Sequence, residues 1–286
     1  MTVEQFFEAI AKLSVLIFVV ASMLAMGLSL TVPQIIGPLR NPVRVVLALL
    51  ANFVLVPLLA IAIAEVFSLE DPMRNGLIVL ATAAGAPFLP KLVQGAKGDI
   101  AFGVGLMVLL MVVTIVYMPI ALPLLLPGVS VDAWAIAESL IVIMLVPLAV
   151  GLLARSHWPE DAAEWQPHFA EVSSIAVLVL LVTGLGLNVS NILALIGTGG
   201  LLALLAFVLG SMVIGLLLGG REPADRSVML LGTTFRNVSA ALVVAGANFS
   251  GTTTVPYILV GALVIMLITM PTARFLGTKA PAVATP

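Results

Sequence analysis

"EDPMRNGLIVLATAAGAPFLPK" occupies residues 70–91. An acid–proline pair opens it, and proline suits the first turn of a helix, where its missing N–H needs no partner. An apolar run follows, and then Gly85, Pro87 and Pro90 arrive within six residues, a grouping that no single α-helix sustains. Backbone that leaves helical geometry inside a bilayer has no water to bond. It persists only where protein buries it or where it lines a wet cavity. The stretch therefore predicts a broken membrane helix, a device that membrane transporters use at their binding sites.

The rest of the chain has the composition to match. Its 286 residues are 62% hydrophobic and 9% charged, with a mean hydropathy of +1.25, whereas a soluble globule carries about 25% charged residues. We expect an all-α polytopic membrane protein. A net charge of -2 with no basic patch points away from nucleic acid. The lack of cysteine excludes disulfides, thiol catalysis and cysteine-held metals. Glu4 and Glu8 precede the first apolar run, which argues against a signal peptide with a basic start.

A crossing helix needs about 20 apolar residues, and the gaps between charges locate nine such spans. They lie within 13–39, 45–64, 70–91, 100–127 and 133–154, then in two parts of the uncharged stretch 172–220, and finally in one beginning at "REPADRS" and one ending near Arg274. "NVSN" at 188–191 and "GTGG" at 197–200 mark the turn that divides the long stretch, and 155–171 reads as a polar loop holding His157 and His168. Arg40, Arg44, Lys97, Arg155, Arg221, Arg226, Arg274 and Lys279 fall on one side, against Lys12 and Arg74 on the other. The basic side is expected to be cytoplasmic, with the N-terminus outside and the C-terminus inside.

The eighth span opens like the third. "REPADRSVMLLGTTFRNV" starts at Arg221, and at an offset of 151 residues Asp71-Pro72 pairs with Glu222-Pro223, Leu80 with Leu231 and Thr82 with Thr233. The two spans cross in opposite directions, which is the layout of an inverted repeat. Residues 1–128 make a first repeat of four helices with a broken helix at about 72–95. Residues 129–286 make a second repeat of five, broken at about 223–249. Gly85, Pro87, Pro90 and Gly232 are the expected break residues.

"MLAMGLSLT" at 23–31, "LLANFVLVPLLA" at 49–60, "AAGAPFLPKLVQGAKGDIAFGV" at 83–104 and "GTTFRNVSAALVVA" at 232–245 together resemble the bile acid:sodium symporter family. The likeness is to bacterial-type members, which implies a bacterial inner (plasma) membrane. It also implies panel and core domains, each drawn from both repeats, with two crossing broken helices in the core. Organic anions moved with sodium are the implied substrates.

The departures from that pattern bear on the ion. The resemblance implies sodium ligands in a Gly-Gly-x-x-Ser-Asn stretch, whose Asn falls on Pro90, or on Lys91 with a one-residue gap. Two further ligands fall on Gly103 and Met107, an acidic ligand falls on Gly232 and a Gln on Arg236. Asn52 matches a Gln and is the comparable ligand left. A hard cation needs a cage of oxygens, and here oxygens are replaced by two fixed positive charges. We expect weak or absent sodium coupling, with no metal site and no cofactor. A sodium site rebuilt from backbone carbonyls is the alternative.

Arg236 lies 13 residues past Pro223, about 20 Å along a helix at 1.5 Å per residue. Two readings stay open for it: a tie to the carbonyls of a broken helix, and a counter-ion for a carboxylate substrate. Lys91 either faces the cavity or snorkels to the surface. Asn237, Thr233, Thr234, Thr82 and Asn52 complete the candidate substrate-binding set. The expected function is secondary-active or facilitative transport of a small organic anion, most simply a carboxylate, by alternating access. The partners are that anion and the bilayer; the sequence leaves the oligomeric state open and is compatible with a monomer. A conventional sodium-coupled symporter is the first alternative. A proton-coupled antiporter lacks carboxylates near the centre of its spans. An intramembrane enzyme lacks GxSxG, HExxH, cysteine and paired acids.

Overall fold

A computed structural model describes residues 3–126, 132–186 and 197–279. Every regular element among them is helical. In chain order they are α1 (Val3–Ser29), α2 (Pro42–Val66), α3 (Asp71–Thr82), α4 (Leu89–Gly95), α5 (Ile100–Leu125) and α6 (Ala133–His157). Then come α7 (Pro159–Gly186), α8 (Gly200–Leu218), α9 (Pro223–Thr234), α10 (Val238–Asn248) and α11 (Thr254–Lys279). Short helical turns at Val32–Ile36 and Gly37–Arg40 link α1 to α2. The expected turn at 188–191 lies outside the described residues.

Among the described residues six helical stretches are long and apolar enough to cross a membrane: α2, α5, α6, α8, α11 and Pro223–Asn248, which holds α9 and α10. The protein is thus an integral, multi-pass membrane protein. Its greasy side faces outward, as a lipid solvent requires. On α5, Val112, Val116, Ile120 and Leu124 form an exposed stripe at four-residue spacing, while Met107, Met111, Thr114 and Met118 are buried on other faces.

One expectation fails here. The polar stretch 155–171 is not a loop. α6 runs to His157, and Pro159 starts α7, which continues unbroken to Gly186. Pro159, Glu160 and Asp161 make a good first turn, with the proline at its start and acids at the positive end of the helix dipole. His157 and His168 lie on helices, both exposed.

Lipid-immersed helices gain nothing by hiding oil from oil, so close backbone approach must hold them together. α1 packs along α7 and along the second half of α6. A Cβ on Gly27 of α1 would come within 2.4 Å of Leu148 O on α6, and one on Gly151 within 2.7 Å of Leu24 O. The pair of glycines therefore sets the α1–α6 distance. In the rest of the bundle α8 lies on α9, and α11 on α3. The two groups meet where α10 packs against α1 and the start of α6, and where α5 meets α6.

Two long helices carry a local π-turn. In α2 the Val56 N–H reaches Ala51 O, and in α6 the Val146 N–H reaches Ile141 O. A proline follows each, Pro57 and Pro147. Pro57 has no N–H for the Phe53 carbonyl four residues back. The Tyr117 hydroxyl donates to that carbonyl instead, at 2.7 Å.

Candidate functional site

The site grows from two interruptions. Residues 83–88 separate α3 from α4, and Phe235, Arg236 and Asn237 separate α9 from α10. A helix that ends inside a membrane leaves its last four carbonyls without partners, and each needs a donor.

Arg236 supplies donors to three of them. It is fully buried, with 0% exposure. Its Nε donates to Leu80 O at 3.3 Å and its Nη2 to Ala81 O at 2.5 Å, both in the last turn of α3. Its Nη1 donates to Thr233 O in the last turn of α9 at 3.2 Å, and to Asn52 Oδ1 at 2.7 Å. Asn52 sits in the π-turn of α2 and donates its own amide to Ala48 O at 3.0 Å, which orients the oxygen towards the guanidinium. The cation lies where two helices end, so the negative ends of both dipoles favour it. Among the described residues no acid is paired with it.

The break itself is closed by two residues, Thr114 and Asn237. The Thr114 hydroxyl on α5 donates to Ala84 O at 3.1 Å and accepts from Ala84 N at 3.0 Å. Asn237 joins the two interruptions, its backbone N–H donating to Ala83 O at 2.8 Å and its side-chain amide to Gly85 O at 3.0 Å. Asn237 Oδ1 also caps α10 by accepting from Ala240 N at 3.1 Å. Gly85 has φ 78°, and a Cβ there would stand 2.2 Å from Met111 N. Only glycine fits that approach and that backbone.

The other candidates are sorted by the same geometry. Thr82 donates to Ile78 O and Val79 O at 3.0 and 2.9 Å, and Thr234 donates to Leu230 O at 2.7 Å, so both hydroxyls serve their own helices. Thr233 is buried three residues before Arg236, and its hydroxyl has no partner among the described residues. Pro87 lies in the first interruption, and Pro90 within the first turn of α4. Gly232 lies inside α9, where a Cβ would meet Leu106 and Leu89 side chains at 3.1 and 3.2 Å, so the interruption begins beyond it. Lys91 is exposed on α4, with its ammonium 5.9 Å from the Phe88 ring centroid. Phe88 in turn faces Phe235 across the two interruptions at 5.8 Å.

Sequence reasoning passed over Thr114, Tyr117 and the two phenylalanines. A signal existed for the first pair. They are the hydroxyl-bearing residues of α5, three apart on one face of an otherwise apolar helix. Among the described residues no cluster of His, Cys, Asp or Glu could hold a metal.

Residues 15–195, more than half of the chain, match the Sodium Bile acid symporter family. The chain belongs to that family. The match takes in the first interruption and stops before α9. The chain is similar to a probable sodium/metabolite cotransporter, BASS3, chloroplastic, of Arabidopsis thaliana: 26% identity over 194 residues, 68% of this chain and 45% of that protein. It is similar to a second, BASS2, chloroplastic, of Oryza sativa subsp. japonica, with 34% identity over 140 residues, 48% and 33% of the two chains. A hepatic sodium/bile acid cotransporter of Rattus norvegicus shares 22% over 243 residues, 79% and 65% of the two chains. The chain thus spans less than half of the length of both plant proteins. These symporter-family relatives are named as cotransporters, not as enzymes.

Proposed function

We propose that this chain is an alternating-access transporter for a small organic anion in which Arg236 takes the place of a bound sodium ion. The carrying observation is the set of oxygens around its guanidinium. Leu80 O, Ala81 O, Thr233 O and Asn52 Oδ1 are the ligand type a hard monovalent cation takes, and the guanidinium already uses all four. Gly103 and Met107 offer no side-chain oxygen on α5. The residues present therefore do not fit a sodium ion at this place. A positive charge that is tethered to the chain does not dissociate with each cycle. Transport on this reading is driven by the substrate gradient, by exchange or by a proton.

Nine spans in two inverted repeats remain our reading of the architecture, residues 1–128 and 129–286. The paired interruptions and the shared acid–proline openings of α3 and α9 support it. The grouping of α1, α6 and α7 apart from the remaining helices supports a panel moving against a core. The excess of Lys and Arg at the end shared by Arg40, Lys97, Arg221 and Lys279 supports a cytoplasmic assignment for that end. The relatives' names favour the conventional sodium-coupled reading, which Arg236 opposes.

The test needs no knowledge of the substrate. Purified protein is melted in sodium chloride and in potassium chloride, beside Arg236→Gln. We expect the wild-type midpoint to be the same in both salts and the variant to gain stability from sodium. Sodium-specific stabilisation of the wild type, or strict sodium dependence of anion uptake into proteoliposomes, overturns the replacement.

A further inference from the structure

Because Arg236 is buried with its donors turned to oxygens of the chain itself, the charge that meets a substrate at the crossover comes from another residue. Lys91 is in position for it. On α4, Leu89, Leu92, Val93 and Ala96 are buried against α5, α9 and α11, whereas Lys91 and Gln94 are exposed on the remaining face. Lys91 stands four residues before Gly95, where α4 ends, about 6 Å along a helix at 1.5 Å per residue. An ammonium is costly against hydrocarbon, so its charge reaches water along this face or at the nearby surface.

The opposite half of the crossover is closed. α10 is buried along most of its length and packs against α1 and the start of α6. The exposed face of α4 lies towards the basic end of the bundle. At its inner limit Phe88 and Phe235, one from each interruption, are half-buried with ring centroids 5.8 Å apart and planes tilted by 35°. Lys91 Nζ lies over the Phe88 ring at 5.9 Å.

We propose that Lys91, Phe88 and Phe235 form the subsite that selects the substrate, and that it selects a monocarboxylate with a flat aromatic body. This rests on the transporter reading above. One accessible cation matches one carboxylate, and a second carboxylate would be desolvated against the phenyl rings. A ring entering beside the tilted pair makes the offset contact that aromatic side chains prefer. Arg236 holds the crossover together, and Lys91 reads the ligand.

Binding is measured calorimetrically on the full chain with phenylacetate, hexanoate and succinate, beside uptake of a panel of small organic anions into proteoliposomes. We expect phenylacetate to bind at least about tenfold tighter than succinate, Lys91→Gln to lose about tenfold or more, and Lys91→Arg to retain binding. Phe88→Leu with Phe235→Leu should bring phenylacetate down to the level of hexanoate while the carboxylate is still bound. Each variant is checked against the wild-type melting midpoint, since Lys91 is exposed and its loss should leave folding intact. Unchanged binding by Lys91→Gln, or a preference for succinate, overturns the subsite. Uptake of other anions without phenylacetate overturns the subsite and leaves the transporter reading standing. No uptake of any anion overturns both.

Discussion

Arg236 keeps its charge in a buried place without an acid because helix ends can do an acid's work. Carbonyls of α3 and α9 and the amide oxygen of Asn52 surround a planar fork of donors whose directions match them. A lysine in the same place would keep the charge and lose the fork. We expect Arg236→Lys to orphan at least two of these oxygens, at about 1–3 kcal/mol each, and to lower the melting midpoint measurably in detergent. A melt unchanged from wild type would show that the fork geometry is not what holds the helix ends. At this scale the sequence was half legible. Phe235-Arg236-Asn237 places a cation within an apolar run, which is compatible both with a tie to helix carbonyls and with a counter-ion for a substrate. Choosing between them needed Leu80 and Ala81, which lie 156 and 155 residues away along the chain.

Interrupted helices turn an isolated requirement for donors into a network. Thr114 closes both polar groups of Ala84, Asn237 closes Ala83 O and Gly85 O, and Tyr117 closes the carbonyl that Pro57 leaves open. The pattern makes a prediction about chemistry rather than size. Thr114→Val keeps the shape and removes both bonds, so it should destabilise the chain by about 2 kcal/mol or more, whereas Thr114→Ser should restore most of that. Equal melting curves for Val and Ser would show that Thr114 acts by packing alone. Elements read unevenly from sequence. The starts of α3 and α9 were clear from acid–proline pairs. The end of α9 was not, because Gly232 looked like the breaker and instead packs inside the helix against Leu89 and Leu106. The stretch 155–171 misled for a different reason: its polarity suggested a loop, yet polarity sets solvent contact and does not prevent a helix.

For the whole molecule, the basic residues gather at one end and Ser250 and Ser68 lie at the other, both exposed. The absence of native cysteine makes orientation directly measurable. A single Thr278→Cys should react with a membrane-impermeant maleimide only after cells are permeabilised, and Ser250→Cys should react in intact cells. The reverse pattern would invert the proposed topology and place the exposed face of α4 towards the outside. In the proposed alternating-access cycle, the bonds of Arg236 and Asn237 across the crossover would make α3, α4, α9 and α10 a single moving unit. The α1–α6–α7 group is the natural counterpart for such a movement.

By itself the sequence determined that the chain lives in a membrane, where α3 and α9 begin, that one helix must break near Gly85 and that a cation sits in a later apolar run. These are consequences of composition, of proline and glycine geometry and of the solvent, all local along the chain. The tertiary structure alone decided what that cation touches. Whether a buried charge is answered by a substrate or by the ends of two helices depends on which carbonyls lie within about 3 Å of it, and residues 155 positions apart meet there only because the chain folds back on itself.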